Sequence, residues 1–243
     1  MSKLRYLWGA IILFTLGIWG CNTQETNSHK EEEMEAITVS MESSDWEVLF
    51  DGSTLEHWRN YRSDEISDQW QIEEGTLTLN GKNGGDIITQ NTYESFELEL
   101  SWKISECGNS GIFFHVVEAD SLDKTYHSGP EVQVLDNTCH PDAKIPKHRA
   151  GDNYDLHACS EETVKPAGEW NDVRLIVNEG HVEHWLNGVK VVDYQLWSPE
   201  WEELYQNSKF TKWPMYGRGK KGHIALQDHG DRVWFKDIKI KSL

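Results

Sequence analysis

Basic residues are scarce in this chain of 243 residues. It has 23 lysines and arginines against 41 aspartates and glutamates, so its formal net charge is −18 at pH 7. A surface this acidic repels the phosphate backbone of nucleic acids, and no cluster of basic residues with interleaved aromatic residues offsets that repulsion. The sequence therefore predicts that no nucleic acid is a partner.

Long apolar runs are equally scarce, and the one clear case lies at the N-terminus. Lys3 and Arg5 precede an apolar stretch at residues 7–19. Basic residues followed by a short apolar run are typical of a secretory signal peptide, and the run is too short to favour the alternative, an uncleaved membrane anchor. We therefore expect a protein that is secreted across the inner membrane.

The end of this stretch, at residues 18–21, resembles a bacterial lipoprotein cleavage box, with aliphatic Ile18 and small Gly20. The resemblance implies a lipoprotein signal peptide over 1–20 and lipidation of Cys21 at the new N-terminus. The protein would then be attached to a membrane by this lipid anchor, facing the periplasm or, at the outer membrane, the cell surface.

Residues 21–44 contain few apolar side chains and include three consecutive glutamates at 31–33. Such a segment cannot bury enough apolar surface to fold, so we expect a flexible acidic tether. Removal of the two basic residues in the signal takes the formal net charge from −18 to −20. The remaining residues, 45–243, are enough for one domain with its own core.

Cysteine is rare too, with four residues in the whole chain. With Cys21 assigned to the lipid, Cys107, Cys139 and Cys159 form an odd set in an oxidising compartment. We expect a disulfide between Cys139 and Cys159, which would leave Cys107 as a free thiol. None of them has the paired C-x-x-C spacing of a zinc site.

Short strand-like segments dominate the rest of the chain. Apolar and polar residues alternate at 96–103, as in a half-buried antiparallel strand, and Asn187 and Gly188 separate two similar runs, which predicts a hairpin. Further runs lie at 70–79, 112–117, 173–177, 223–227 and 233–240. Their spacing predicts an all-β protein, an antiparallel β-sandwich.

Three long segments interrupt this rhythm, at 118–129, 137–154 and 196–222. They are rich in polar residues and poor in aliphatic ones. Loops of this length in a compact domain are usually either functional or disordered. The last segment contains five aromatic residues between 197 and 213, so we expect an ordered flap with a short helix at 199–207.

The strand-like run at 129–136 places polar side chains where a β-protein usually buries aliphatic ones. Glu131 and Gln133 share one face, while Val132 and Val134 share the other. On this pattern alone, an edge strand with a solvated polar face is the simpler interpretation. The alternative is a groove lined by functional groups.

Two other segments present a similar face. In one, Gly111 and His115 are an even number of residues apart, so they would lie on the same face of a strand. In the other, the same holds for Gln227 and His229. If these faces meet that of Glu131 on one concave sheet, they form a groove lined by carboxylate, amide and imidazole groups. The coincidence of three polar faces favours the groove.

Eight segments in order carry a more specific pattern. They lie at 49–58, 109–114, 129–137, 154–156, 168–171, 184–188, 222–230 and 233–235. Together they resemble the 3-keto-disaccharide hydrolase family over residues 46–243. The resemblance implies a concanavalin A-like jelly roll with long loops over a concave sheet, and an enzyme that processes glycosides whose sugar has a ketone at C3.

The chemistry of such a substrate suits these residues. A ketone at C3 acidifies the proton on C2, so a base can remove it, and the resulting enolate expels the oxygen on C1. Addition of water then completes a net hydrolysis. This sequence of steps needs a base, an acid and a group that stabilises the enolate. Glu131 and His229 are the candidate catalytic residues. The candidate substrate-binding residues are Gln133, Gln227, His115, Tyr154, Asp155, Lys212 and Asp136.

Two other functions stay open, both with a carbohydrate partner. A conventional glycosidase of the laminarinase type places two carboxylates on one strand, which Glu131 and Asp136 imitate, but Gln133 between them cannot titrate. A non-catalytic, lectin-like carbohydrate-binding module would use some of the twelve tryptophans as stacking platforms for sugar rings.

A divalent metal is the one cofactor for which the sequence offers donors, although it contains no fixed ligand motif. Oxygen and nitrogen atoms of six side chains are of the kinds that bind such ions. They belong to Glu131, Asp136, His115, His127, His140 and His229.

Overall fold

The structure, a computed structural model, describes residues 45–243. The predicted signal peptide, the predicted tether and Cys21 lie outside this range. The described strands are β1 (Glu47–Phe50), β2 (Trp58–Asn60), β3 (Trp70–Glu73), β4 (Thr76–Leu79), β5 (Ile87–Thr89), β6 (Phe96–Ile104), β7 (Asn109–Val116), β8 (Glu131–Leu135), β9 (Asn171–Asn178), β10 (His181–Leu186), β11 (Val189–Gln195), β12 (His223–Leu226) and β13 (Val233–Ser242).

Helices are short and lie in the predicted loops. Helix α1 spans Pro199–Gln206, which confirms the helix expected in the last long segment. Three 3-10 helices span Thr125–His127, Pro141–Lys144 and Lys209–Lys212. Within the described residues, no helix is long and apolar enough to cross a membrane.

The strands form two antiparallel sheets, which confirms the predicted all-β sandwich. The larger sheet has the order β11-β10-β9-β6-β13-β4-β3, with β1 also paired to β13. The smaller sheet has the order β2-β5-β12-β7-β8. The predicted hairpin at Asn187 and Gly188 joins β10 and β11.

The alternation within β7 and β8 decides which side chains reach the core. Ile112, Phe114, Val132 and Val134 point between the two sheets and join the main hydrophobic cluster. Glu131, on the other face of β8, therefore points to the outer side of the smaller sheet. This outer side is covered by the long loops instead of being open to water, so the polar face is buried.

Strand β8 is the edge strand of the smaller sheet, as the simpler interpretation expected, but its free backbone groups are used. The amide of Gly151 donates to the carbonyl of Gln133 at 2.8 Å, and the amide of Gln133 donates to the carbonyl of Asp152 at 3.1 Å. The amide of Tyr154 donates to the carbonyl of Glu131 at 3.1 Å. The segment 151–154 thus closes the edge of the sheet.

The predicted disulfide is wrong. Cys107 pairs with Cys139, with their Cα atoms 4.8 Å apart, and Cys159 is the free cysteine of the described residues. The physical reason is the pairing of β7 with β8, in which Asn109 lies opposite Leu135. This register brings the turn before β7 against the turn after β8, a contact that the spacing of cysteines along the chain does not reveal.

Candidate active site

A cavity of about 290 Å³ lies over the outer face of the smaller sheet. It brings together five of the residues predicted from the sequence: Glu131, Gln133, Tyr154, Gln227 and His229. The three long segments that were expected to be functional each contribute to its wall, through Tyr126, Tyr154 and the residues around Phe210. The predicted groove is therefore present, and loops enclose it.

Glu131 lies at the base of this cavity, where its side chain is only 6 % exposed. It is paired with Phe113 across the β7–β8 register, and its carboxylate extends diagonally over Gly111. A Cβ atom at Gly111 would be 2.2 Å from Glu131 Oε1. The absence of a side chain at Gly111 is thus what leaves room for the carboxylate.

Burial strongly favours the neutral form of Glu131. Loss of hydration raises the pKa of its carboxyl group to about 8, and the carboxylates of Asp86 and Asp142 act in the same direction, while the ammonium group of Lys209 opposes them. When the side-chain amide of Gln133 is oriented so that both its oxygen and its nitrogen find partners, the nitrogen donates to Glu131 Oε1 at 2.9 Å and to the carbonyl of Ser110 at 3.2 Å. A carboxyl group with this pKa exchanges protons readily near neutral pH.

Tyr154 forms a second polar wall, at the end of the segment that closes the sheet edge. The ammonium nitrogen of Lys209 lies 4.1 Å from the centre of its ring. Burial and the carboxylate of Asp142 raise the pKa of the Tyr154 hydroxyl well above its usual range. The phenol is therefore a hydrogen-bond donor at neutral pH.

His148 packs against the rear of Tyr154, with the two ring centres 4.3 Å apart. It lies between two carboxylates: its Nε2 is 2.8 Å from Asp155 Oδ1, and its Nδ1 is 3.5 Å from Asp142 Oδ2. Asp155, which the sequence suggested as a substrate ligand, thus binds His148 instead of lining the cavity. Its contribution is to hold the Tyr154 wall.

The opposite wall follows the end of β12. The amide of Gln227 donates to the carbonyl of Gly111 at 3.0 Å, which fixes its backbone beside β7. Its side-chain Oε1 is buried and has no hydrogen-bond partner among residues 45–243. His229 follows in a turn in which the amide of Gly230 donates to Asp228 Oδ1 at 2.8 Å. A polar ligand would satisfy the free oxygen of Gln227.

The flap encloses the cavity with aromatic side chains. Ser198 caps α1 by accepting a hydrogen bond from the amide of Trp201, and Pro199 occupies the first turn. In the 3-10 helix that follows, Phe210 stacks on Tyr216 with ring centres 3.7 Å apart. This packing fixes the lysine that begins the same short helix. The cavity residues that were not chosen from the sequence are Asn109, Tyr126, Lys209, Phe210 and Trp213.

The family can be identified from the whole described domain. The model of the 3-keto-alpha-glucoside-1,2-lyase-like domain matches residues 45–241. The chain belongs to this family. The resemblance inferred from the eight sequence segments is confirmed.

Relatives of this 3-keto-alpha-glucoside-1,2-lyase-like domain have similar length and structure. A protein of Bacteroides thetaiotaomicron named 3-keto-disaccharide hydrolase is 38 % identical over 247 residues, which cover 90 % of this chain and 85 % of the relative. The crystal structure of a candidate glycosyl hydrolase from Parabacteroides distasonis is 32 % identical, covers 82 % of this chain and 94 % of its own, and has a TM-score of 0.76.

More distant structures show the fold alone. A Bacillus subtilis protein with a galectin-like fold is 14 % identical, with a TM-score of 0.52, and the match covers 81 % of this chain and 94 % of that one. Galectin-like folds are two-sheet antiparallel sandwiches, as is this domain. The antiparallel two-sheet sandwich predicted from the sequence is therefore confirmed, and its fold resembles that of a galectin.

His115 does not reach the cavity of this lyase-like domain, contrary to its predicted role as a substrate ligand. It has a positive φ of 51°, and the β7–β12 register shifts there, because Ala225 pairs with Phe113 but His223 pairs with Val116. This bulge turns His115 to the core side, where Nε2 lies 2.8 Å from the carbonyl of Glu94. Counting alternate residues therefore assigns the wrong face wherever a bulge inserts an extra residue into a strand.

Two further predicted ligands lie elsewhere in the domain. Asp136 caps the turn after β8: its carboxylate accepts from the amides of Cys107 at 2.8 Å and Thr138 at 3.0 Å. Lys212 is exposed at the end of its 3-10 helix and does not line the cavity. Lys209, three residues earlier, supplies the cation instead.

The proposed metal donors do not come together in the described part of this family member. The two clusters with suitable donor spacing are Cys107, Asp136 and Cys139, and His181, Glu183 and Asp193. The first contains the disulfide. In the second, Lys190 pairs with both carboxylates, at 3.3 Å and 2.6 Å. Neither group fits a divalent cation.

Proposed function

We propose that this chain cleaves 3-keto-glycosides, including 3-keto-disaccharides, by elimination at C1 and subsequent addition of water. The observation that carries the proposal is Glu131, a buried carboxyl group with a raised pKa at the base of a cavity large enough for a sugar ring. The membership of the 3-keto-alpha-glucoside-1,2-lyase-like family supports the same substrate class.

The reaction begins with transfer of the C2 proton to a base. The electron pair of the C2–H bond forms an enolate with the C3 ketone. When the ketone re-forms, a double bond appears between C1 and C2, and the bond from C1 to the glycosidic oxygen breaks. The leaving oxygen takes a proton. Water then adds at C1 and a proton returns to C2, so the net change is hydrolysis.

Glu131 in its ionised form is the proposed base for C2. A base with a pKa near the working pH combines a useful ionised fraction with strong affinity for the proton. Lys209 and the hydroxyl of Tyr154 face the same cavity and are the proposed donors to the enolate oxygen on C3, because a cation and a neutral phenol both stabilise a developing negative charge.

His229 is the proposed acid for the leaving oxygen. It lines the cavity on the wall opposite Tyr154 and is exposed to solvent, so it can exchange protons with water. The amides of Gln133 and Gln227, together with Asn109, would orient the sugar hydroxyl groups. Each of these side chains can both donate and accept hydrogen bonds.

The arrangement fits a conventional two-carboxylate glycosidase poorly. Among the described residues, Glu131 is the one carboxylate that lines the cavity. Ordinary retaining and inverting glycosidases need a second carboxyl group that faces the scissile bond within roughly 5–10 Å of the first. Asp86 and Asp142 are near enough to raise the pKa of Glu131, but neither lines this cavity. Asp136, the partner suggested by the sequence, is occupied by backbone amides after β8. Elimination beside a ketone needs no such pair.

The decisive experiment compares an unoxidised disaccharide with its 3-keto form. We expect turnover of the 3-keto form alone, and loss of that turnover in Glu131→Gln with an unchanged circular dichroism spectrum. Wild-type rates in this variant would remove Glu131 from the mechanism. Tight binding of both sugars, with no product after long incubation, would indicate a lectin-like module instead.

We further propose that the protein is a lipoprotein, tethered by Cys21 and secreted to the periplasm or cell surface. The proposal rests on the apolar stretch and cleavage-box pattern of the N-terminal sequence. Radioactive palmitate should label the wild-type protein in cells but not Cys21→Ala. Equal labelling of both would overturn the assignment.

A further inference from the structure

A second cavity adjoins the proposed catalytic cavity. Its volume is about 710 Å³, more than twice the 290 Å³ of the first. The two share Tyr126, Gln227 and His229 in their linings, so they lie side by side with these three residues at the junction. Glu131 lines the smaller cavity but not the larger one.

Several polar groups of the second cavity are used to build its wall. Asp86 accepts hydrogen bonds from the hydroxyl of Thr125 and, at 3.0 Å, from the amide of Asp228. Asp228 in turn accepts from the amide of Gly85 at 2.8 Å. These bonds join three separate loops. The two carboxylates therefore hold the shape of the cavity and have little capacity left for a ligand.

Other polar groups there have no internal partner. Lys82, Asn83 and Lys124 are exposed lining residues, and none of their side chains makes an ion pair or hydrogen bond within residues 45–243. Tyr126 adds an aromatic ring at the junction, packed edge to face with Trp213 with ring centres 5.2 Å apart. Unpaired donors beside an aromatic ring are the combination that binds a sugar.

The junction also carries the orphaned oxygen of Gln227, which is buried without a partner among the described residues. A hydroxyl group of a ligand that spans both cavities would satisfy it. An apolar ligand would leave it unpaired, at a free-energy cost.

We propose that the second cavity is a leaving-group subsite that takes a hydroxyl-rich sugar. This inference rests on the proposed function, since it assigns the 3-keto ring to the cavity with Glu131 and the rest of the glycoside to its neighbour. His229 then lies at the bond between the two, where an acid for the leaving oxygen must be. The subsite selects leaving groups by their hydroxyl groups and disfavours flat apolar ones.

The test uses two substrates with the same 3-keto-glucose ring, a 3-keto-disaccharide and methyl 3-keto-glucoside, and two subsite variants. Asn83 has a positive φ of 73°, so Asn83→Gly removes its side chain without backbone strain. Lys124→Ala removes a side chain that caps no helix, although it precedes one. Lys221→Ala, at an exposed lysine outside both cavities, is the matched control.

We expect each subsite variant to lower the ratio of kcat/KM for the disaccharide to kcat/KM for the methyl glycoside by about tenfold, the value of one well-placed hydrogen bond. Lys221→Ala should keep the wild-type ratio. An unchanged ratio in both subsite variants, or the same change in the control, would overturn the assignment.

A binding measurement separates this inference from the proposed reaction. Calorimetry of the 3-keto-disaccharide with Glu131→Gln, and with Glu131→Gln combined with Asn83→Gly, requires no turnover. We expect a weaker Kd in the double variant by about tenfold. If the wild type turns over neither substrate but this difference persists, the reaction is wrong and the subsite stands. Equal Kd values would refute the subsite even if the reaction is right.

Discussion

The carboxylate of Glu131 occupies the space that a side chain at Gly111 would fill. The two residues lie on neighbouring strands, and a Cβ atom at Gly111 would approach Glu131 Oε1 to 2.2 Å. Real Cβ atoms are not found so close to another heavy atom, so one of the two groups would have to move. The position of the proposed base therefore depends on a glycine that does not itself line the cavity.

Gly111→Ala should reduce kcat by at least about a hundredfold, because a displacement of roughly 1 Å at a reacting group has an effect of that size. The extra methyl group acts only by moving Glu131. Consequently, adding Gly111→Ala to Glu131→Gln should cause no further loss. Steady-state kinetics of the two single variants and the double variant test this, and additive losses would show that Gly111 acts by another route.

Glu131→Gln should make the protein more stable while it abolishes turnover. In the folded protein the carboxyl group has a pKa of about 8, against an ordinary value of 4.5. Folding therefore retains a proton that the unfolded chain releases, and stability is lost as the pH rises from about 4.5 to 8. A neutral amide avoids this loss, so the free energy of unfolding at pH 7 should increase by about 1–3 kcal/mol.

Urea unfolding at pH 4 and at pH 7 checks the sign of this effect. The difference between the variant and the wild type should be small at pH 4, where both the folded and the unfolded chains hold the proton, and larger at pH 7. A variant that is less stable than the wild type at pH 7 would mean that Glu131 is ionised and well stabilised in the fold.

The rate of 3-keto-glycoside cleavage should rise with pH. If ionised Glu131 is the base, kcat/KM increases about tenfold per pH unit below pH 8 and levels off above it.

Lys209 lowers the pKa of Glu131, so Lys209→Met should move the midpoint of this pH profile to higher pH, whatever it does to the maximal rate. Lys212→Met, at an exposed lysine of the same short helix, should leave the midpoint in place. A rate that falls through pH 8 would assign Glu131 to the acid role.

The disulfide should stabilise the domain and its proposed active site together. The bond between Cys107 and Cys139 closes a sequence separation of 32 residues, for which loop-closure entropy predicts a contribution of about 4 kcal/mol. Cys107→Ser should lower the free energy of unfolding by this amount in denaturant titrations under oxidising conditions. Cys159→Ser should cost about 1 kcal/mol or less, because this thiol makes one weak bond, to the carbonyl of Ala150 at 3.5 Å. A reversed order would restore the pairing first expected from the sequence.

The sequence predicted the parts of the site that depend on local alternation. The outer face shared by Glu131 and Gln133 follows from the period of two in an unbroken strand, and the valines that alternate with them, Val132 and Val134, face the core as expected. The structure places residues of all three long polar segments in the cavity wall, and the aromatic residues of the last segment form the ordered flap that the sequence predicted.

The other features of the site cannot be predicted from the alternation of polar and apolar residues along a strand. The bulge at His115 reverses its direction, and nothing in the residues before it marks the extra residue. Lys209 and Lys212 begin and end one 3-10 turn, so the docking of the flap decides which of them faces the cavity. The disulfide follows from the order of strands in the sheet, which is a relation between distant segments.

The closure of β8 by residues 151–154 has a consequence beyond the position of Tyr154. An edge strand with free amides and carbonyls is a template on which a second chain can add its own strand, the first step towards aggregation. Here the carbonyls of Glu131 and Gln133 are already bonded to the amides of Tyr154 and Gly151. The same few backbone bonds that bring a phenol to the cavity thus also prevent neighbouring molecules from joining their sheets at this edge, so a substitution that loosens the segment would endanger solubility as well as activity.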